Sequence, residues 1–286
     1  MTPDSSTPAT AESRGGAAVG GPDGPTGESR DRFGPPLTAR SVVASVLLGT
    51  VPPVMSVRAL VRAGELFGLA EGTVRTALSR MTAAGELVRE DGGRYALAGH
   101  LIQRQAHQQL SRQPDLGVWN GSWQMWVVEL GSRAPSDRAA LRSAARSLRL
   151  AEMRDGVWLR PDNLRSSIES VSQHTMTLAS QARRFVTHPD RDDELAAELW
   201  DLERWDSESL ELRRAMHGLR EPLARCEPAA LREGFVLAAA VLRQFNADPL
   251  LPPELLRGAH QGDALRRDFD DYDSRFRSSL RRWLTP

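Results

Sequence analysis

The chain has 286 residues, 40% of them hydrophobic, enough for two or three small domains with cores of ordinary size. Its one cysteine, Cys226, excludes an intramolecular disulfide and a thiolate metal cluster; with no apolar run of roughly 18 residues and no secretory leader pattern, a reducing cytoplasm is the expected setting. A formal net charge of zero argues against a nucleic-acid partner, but the charge is unevenly spread: residues 37–112 carry nine Arg against five acids, and residues 169–286 carry 17 against 21.

Residues 1–36 are rich in Gly, Pro, Ser, Thr and Ala and nearly devoid of large apolar side chains. They cannot bury enough surface to offset ordering entropy, so a disordered tail is expected there. From Leu37 the pattern changes. Thr38 is placed to cap a helix bearing Val42, Val43, Val46 and Leu47, with Gly49 to end it. Ser56, after Pro52 and Pro53, is placed to cap a second helix with Val57, Leu60, Val61 and Phe67 inward. A break at Gly68 and Leu69 precedes a third helix from about Glu71 to Ala84, stopped at Gly85. Leu87–Glu90, Asp91-Gly92-Gly93 and Arg94–Leu97 then read as strand, turn and strand. Three helices followed by a hairpin is the pattern of a winged helix-turn-helix.

A polar helix over about Leu101–Arg112 leads away from the hairpin. Trp123–Leu130 (WQMWVVEL) reads as a buried strand, Asp137–Leu150 as a helix and Gly156–Arg160 (GVWLR) as a short strand. Residues 164–188 are ambiguous, with a strand expected near Ala182–Thr187. That succession suggests a ferredoxin-like layer. Beyond Asp192 the chain reads as helical over 192–220, 228–246 and 263–284, with the Pro-rich 248–253 as a loop. The last helix sets Leu265, Phe269, Tyr272, Phe276, Leu280 and Trp283 on one face, which is either internal core or a dimer surface. The expected class is therefore α+β: a tail over 1–36, a winged-helix DNA-binding domain with its linker helix over 37–112, a ferredoxin-like domain over 113–190, and a helical regulatory and dimerisation domain over 191–286.

The third helix carries the functional signal. Val74, Ala77, Leu78 and Met81 form its inward stripe, and the opposite face presents Gly72, Thr76, Ser79 and Ala83. Thr73 and Arg80 flank that face on one side and Arg75 on the other. A small, hydroxylated surface edged by guanidinium groups fits a major groove roughly 12 Å wide. Hydroxyls there reach base edges, while arginine pairs with guanine or clamps phosphate. An ordinary solvated helix carries longer charged chains on its outer face. Arg89 and Arg94 on the hairpin join the candidate DNA contacts, with Arg40 and Arg58 at the starts of the first two helices as further phosphate candidates. Glu71 favours the helix dipole but repels phosphate, and Ala70 supplies no side-chain cap.

The run FGLAEGTVRTALSRMTAAGELVRE (Phe67–Glu90) resembles the PaaX family, repressors of bacterial aromatic-acid catabolism. The resemblance continues through WNGSW (Trp119–Trp123), GVWLRP (Gly156–Pro161), LWDL (Leu199–Leu202) and DPLLPPELL (Asp248–Leu256), in the family's order. It implies a winged helix, a ferredoxin-like domain and a helical C-terminal domain. It also implies a homodimer on double-stranded operator DNA, released by an acyl-coenzyme A thioester such as phenylacetyl-coenzyme A. No cofactor is expected. Such an effector needs an apolar slot beside cations, and Arg183, Arg184, His188, Trp200 and Arg204 are the expected region, with Trp200, Arg204 and Trp205 on one helix.

Other classes fit less well. By the same resemblance the middle domain is similar to the small nuclease subunit of CRISPR adaptation, which holds its metal on an Asp at the end of the first strand. Glu129 is the residue at that end here, and a lone carboxylate makes a poor metal site. The six histidines show no metal-ligand spacing. An interaction module with a decayed reader, or a pathway-specific regulator of secondary metabolism, remains an alternative to a catabolic repressor.

Overall fold

A computed structural model describes residues 37–129, 134–165, 169–256, 258 and 260–285. The tail expected over 1–36 lies outside the described residues. The described residues all belong to one compact unit, Phe33–Pro286.

Local signals set the first helices. Thr38 and Ser41 form a reciprocal capping box at the start of α1 (Ala39–Leu48), and Gly49 closes it. The Ser56 hydroxyl accepts from the Ala59 amide at 3.2 Å, starting α2 (Val57–Leu66). Gly68, at φ 72°, takes the left-handed turn into α3 (Glu71–Ala83). Gly64 lets α2 and α3 cross closely: a Cβ there would stand 2.5 Å from Val74 Cγ2. Strands β2 (Leu87–Glu90) and β3 (Arg94–Leu97) pair antiparallel across Asp91-Gly92-Gly93, whose glycines both have positive φ. The short β1 (Val54–Ser56), not foreseen from the sequence, pairs with β3 in the register Val54↔Ala96, giving the order β1-β3-β2. Three helices and a three-stranded antiparallel sheet thus make up this part of the chain.

Helix α4 (His100–Arg112) leads away from the hairpin into the second sheet. Strands β4 (Trp123–Val128), β5 (Ala151–Arg154), β6 (Val157–Pro161) and β7 (Ala182–Thr187) run antiparallel in the order β5-β6-β4-β7. With α5 (Pro135–Ser147) and α6 (Glu169–Ala179) as the two crossovers, this is the ferredoxin-like arrangement. The period of two along β4 divides its tryptophans. Trp126 meets Leu141, Ala145 and Leu178 beneath the helices, and Trp123 meets Ala196, Leu251 and Leu255 on the other face. Two elements in this region escape a sequence reading: β5, whose residues are mostly exposed, and α6, which fills the ambiguous stretch.

The single helix expected over 192–220 is broken. Helix α7 (Asp192–Leu199) ends at Trp200, which takes an extended backbone, and Asp201 caps α8 (Leu202–Gly218) by accepting from the Arg204 amide at 3.1 Å. Helices α9 (Arg220–Ala224), α10 (Pro228–Ala247) and α11 (Gly262–Leu284) complete the chain. Among the described residues no helix is long and apolar enough to cross a membrane.

Of the two readings of the apolar face on the last helix, the structure shows internal core. Phe276 is 6% exposed and packs on Gly234, and Tyr272 Oη donates to the Gly234 carbonyl at 2.7 Å. Trp283 lies half-buried beneath the Arg62 guanidinium, 5.6 Å from its ring centre. These aromatics are core because α2 and α10 occupy the face they present. One continuous apolar core thus joins α1–α4 to α8–α11, with Phe67 against Phe235 at 4.8 Å as a central contact.

Candidate nucleic-acid interface

Helix α3 is fixed from below by Val74, Leu78 and Met81, each no more than 1% exposed. Burying three such chains stabilises the fold by roughly 1.5–3 kcal/mol each, so the opposite face is held in place. That face presents Gly72, Thr73, Arg75, Thr76, Ser79 and Arg80, all exposed. Ala70 gives no side-chain cap, as its chemistry dictates. The Thr76 hydroxyl donates to the Gly72 carbonyl at 2.8 Å, which leaves its lone pairs pointing outward to accept.

An open groove runs between the first turn of α1 and this face, lined by Thr38, Arg40, Thr73, Thr76, Arg80 and Glu86. Of the candidate cations, Arg80 and Arg89 have no ion pair among the described residues, and both are exposed. Arg75 is held by Glu71 at 2.7 Å, and Arg94 by Glu90 at 2.8 Å. Those two must exchange a carboxylate for any phosphate they meet. Arg40 is held more firmly: its guanidinium takes both oxygens of the nearly buried Glu86. That hydrogen bond holds the Glu86 carboxyl below the usual carboxylate range. Arg40 is therefore a structural partner first, and Glu86 places a negative charge at the groove, a position no local pattern marks. Arg58 is exposed at the start of α2.

The expected effector residues are carried by different elements. Arg183 and Arg184 project from β7, an edge strand, and pair with Glu129 at 3.2 Å and Asp162 at 2.7 Å. His188 is exposed just beyond that strand. Trp200 stacks on Trp123 with ring centres 6.3 Å apart. Arg204 is exposed and pairs with Glu208 along α8 at 2.8 Å. Trp200 and Trp205 are not on one helix, because the chain breaks at Asp201. Among the described residues no group of three or more His, Cys, Asp or Glu is placed to hold a metal ion.

Two family models match the chain: one described as PaaX-like protein over residues 38–101, and one described as the central Cas2-like domain of PaaX protein over residues 117–196. A solved structure titled "Uncharacterized protein Rv0674 from Mycobacterium tuberculosis" superposes with a TM-score of 0.67 at 35% identity, covering 86% of this chain and 98% of its own. No curated protein matches the chain. The matched segments take in the α3 face, the hairpin and the second sheet in the order found here, and the chain belongs to the PaaX-like family.

Proposed function

We propose that this chain is a DNA-binding transcription regulator in which α3 reads the major groove and the β2–β3 hairpin is the wing. The observation that carries this reading is the outer face of α3, with short hydroxylated residues at its centre and at its edge Arg80, which has no ion pair among the described residues, on a helix anchored from behind. Hydroxyls and guanidinium groups at that spacing are chemistry for base edges and phosphates. In this reading residues 37–112 form the reader with its linker helix, 113–190 the ferredoxin-like domain and 191–286 the helical regulatory domain. The family resemblance supports a repressor role in the cytoplasm, a homodimer on inverted half-sites, and release by an acyl-coenzyme A such as phenylacetyl-coenzyme A. A two-fold pair of readers supplies the discrimination that one helix lacks. A catalytic role finds no support at Glu129, which is exposed and paired with Arg183.

The test is a titration of labelled duplexes with the full chain. One duplex is drawn from the region upstream of its own gene, and another has the same length and a shuffled sequence. The expected result is binding at least about 10³-fold tighter to the native sequence. Equal affinity for the two would remove the reading as a sequence-specific regulator of its own locus.

A further inference from the structure

At the end of α4 remote from the DNA reader, three parts of the chain meet around buried charge. Arg149 follows α5 with a left-handed backbone, φ 61°, and is 7% exposed. Its Nη2 donates to Ser111 Oγ on α4 at 2.7 Å, yet it has no ion pair among the described residues. Asp248, the acid behind it, is already taken by Arg266 at 2.9 Å. Arg160 shows the contrast. It is fully buried and likewise has no ion pair among the described residues, but its guanidinium donates to Pro161 O, Leu148 O and Asn163 Oδ1. A buried guanidinium met by a single hydroxyl is costly to keep charged, and in a cleft it marks a candidate ligand site.

Arg149 faces a notch of about 30 Å³, whose other polar walls are His107, Ser111, Asp115, Ser147, Arg165 and His174. At roughly 10–15 Å³ for each water-sized occupant, this is room for two waters or one carboxylate head. Leu110, Leu164 and Leu250 line it beside the cations, so an apolar body would also find contact. The two imidazoles meet edge to face with centres 6.4 Å apart. Arg165, at the rim, is shared with Asp115 at 3.5 Å.

We propose that this notch binds the carboxylate head of a small organic acid and that α4 transmits its occupancy to the DNA reader; the second half rests on the function proposed above. The path is short. Ser111 touches the notch and also donates to Asn246, and Arg112 beside it pairs with Asp270 and Asp273. Midway along α4, Gln105 donates to the carbonyl of Leu48, the last residue of α1, at 3.1 Å. A shift of α4 that closes the notch therefore moves α1, which forms one wall of the groove beside α3.

Binding also takes up protons. Burial, and then the charge of Arg149, push His107 down to about 4, and burial pushes His174 down too, so both are neutral near pH 7 without an anion. A carboxylate between them favours the charged rings, and affinity rises as pH falls. Arg149, Arg165 and Asp115 face the two rings, with Asp248, Arg266 and His260 behind Arg149. Burial disfavours charge on His260, but Asp248 and Asp206 outweigh it and raise that group, so it also gains protons at low pH. Substitution at His107 separates the two sources.

The experiment is isothermal titration of the full chain with sodium butyrate at constant ionic strength, from about pH 8 to about pH 6, with sodium phosphate and sodium chloride as parallel arms. The expected result is saturable one-to-one binding of butyrate that tightens about tenfold over that range. Arg149→Gln and His107→Gln should each weaken it about tenfold or more. Because Arg149 is buried with a left-handed backbone, its variant is informative only where circular dichroism stays native; His107→Gln, on a half-exposed helix face, is the second arm. Absence of saturable butyrate binding at every pH, or undiminished binding in folded His107→Gln, overturns the site. Phosphate binding without butyrate binding overturns the carboxylate assignment. Butyrate binding that leaves DNA affinity unchanged overturns the coupling through α4. Butyrate binding in a chain that binds no DNA refutes the proposed function and leaves the site standing.

Discussion

Replacing Arg80 with Ala separates reading from docking on α3. The side chain is exposed, lines the groove beside Thr73 and Thr76, and has no ion pair among the described residues. Removing it deletes no buried contact, so fold stability should shift by no more than about 0.5 kcal/mol. If Arg80 pairs with a base edge, affinity for the native site falls by about 1–3 kcal/mol, or about 5- to 150-fold, and discrimination against shuffled DNA shrinks by the same factor. If it clamps phosphate, affinity falls equally on every sequence and the slope of log affinity against log salt drops by about 0.9. Arg75→Ala is the internal comparison. Arg75 already spends its charge on Glu71 at 2.7 Å, an exposed i, i+4 pair of about 0.3–0.5 kcal/mol. It gives that up before it meets DNA, so its loss should matter less, and Glu71→Gln should tighten binding. Fluorescence anisotropy on both duplexes at several salt concentrations reads affinity and slope together. Unchanged affinity and unchanged slope in a natively folded Arg80→Ala chain would remove Arg80 from the interface and refute the assignment of this face.

Gly64→Ala should destabilise the fold by about 1–3 kcal/mol in a urea melt, because the new Cβ would stand 2.5 Å from Val74 Cγ2; by shifting α3 it should also weaken DNA binding more than its stability loss explains. Phe276→Ala should cost about 3–5 kcal/mol on chemical denaturation, since that ring is 6% exposed within the chain, and light scattering should show its assembly state unchanged. With no anion present, His107, held near pH 4 mainly by burial against an ordinary 6.5, leaves the folded chain binding fewer protons than the unfolded one between those values. Stability should therefore fall as pH drops through that window, and His107→Gln should flatten the fall.

How far each feature was legible follows from how local its cause is. Thr38, Ser56 and Gly49 act within one turn, so the limits of α1 and the start of α2 stand in the sequence. The inward stripe of α3 and the Asp91-Gly92-Gly93 turn are equally local, and they locate the outer face of α3. Strand β1 was hidden because three residues after two prolines acquire their meaning only from a partner some forty positions away. Strand β5 was hidden because Glu152, Met153 and Arg154 are exposed and leave no apolar alternation. The break at Trp200 carries no Gly or Pro; Asp201 becomes a cap only once Trp200 is drawn onto Trp123.

Burial of arginine was the largest blind spot. With every basic residue an arginine, nothing in the string marks Arg149 and Arg160 as interior and Arg183, Arg184 and Arg204 as solvated. The expected effector residues lie within some twenty positions of one another, whereas the polar junction beneath α4 is assembled from residues 111, 149, 163 and 248, far apart in the chain. The terminal aromatic stripe illustrates the same limit: its period shows that one face is apolar, but which element covers it is decided by α2 and α10.

The central claim is that α3 reads DNA sequence. Its most direct test is selection of sheared genomic fragments by the purified full chain, followed by sequencing, run beside a Thr76→Glu variant that sets a carboxylate at the middle of the outer face without touching the buried stripe. The native chain should enrich fragments sharing one short motif, and the natively folded variant should lose that enrichment. Recovery of the same unenriched fragments by both proteins would contradict it.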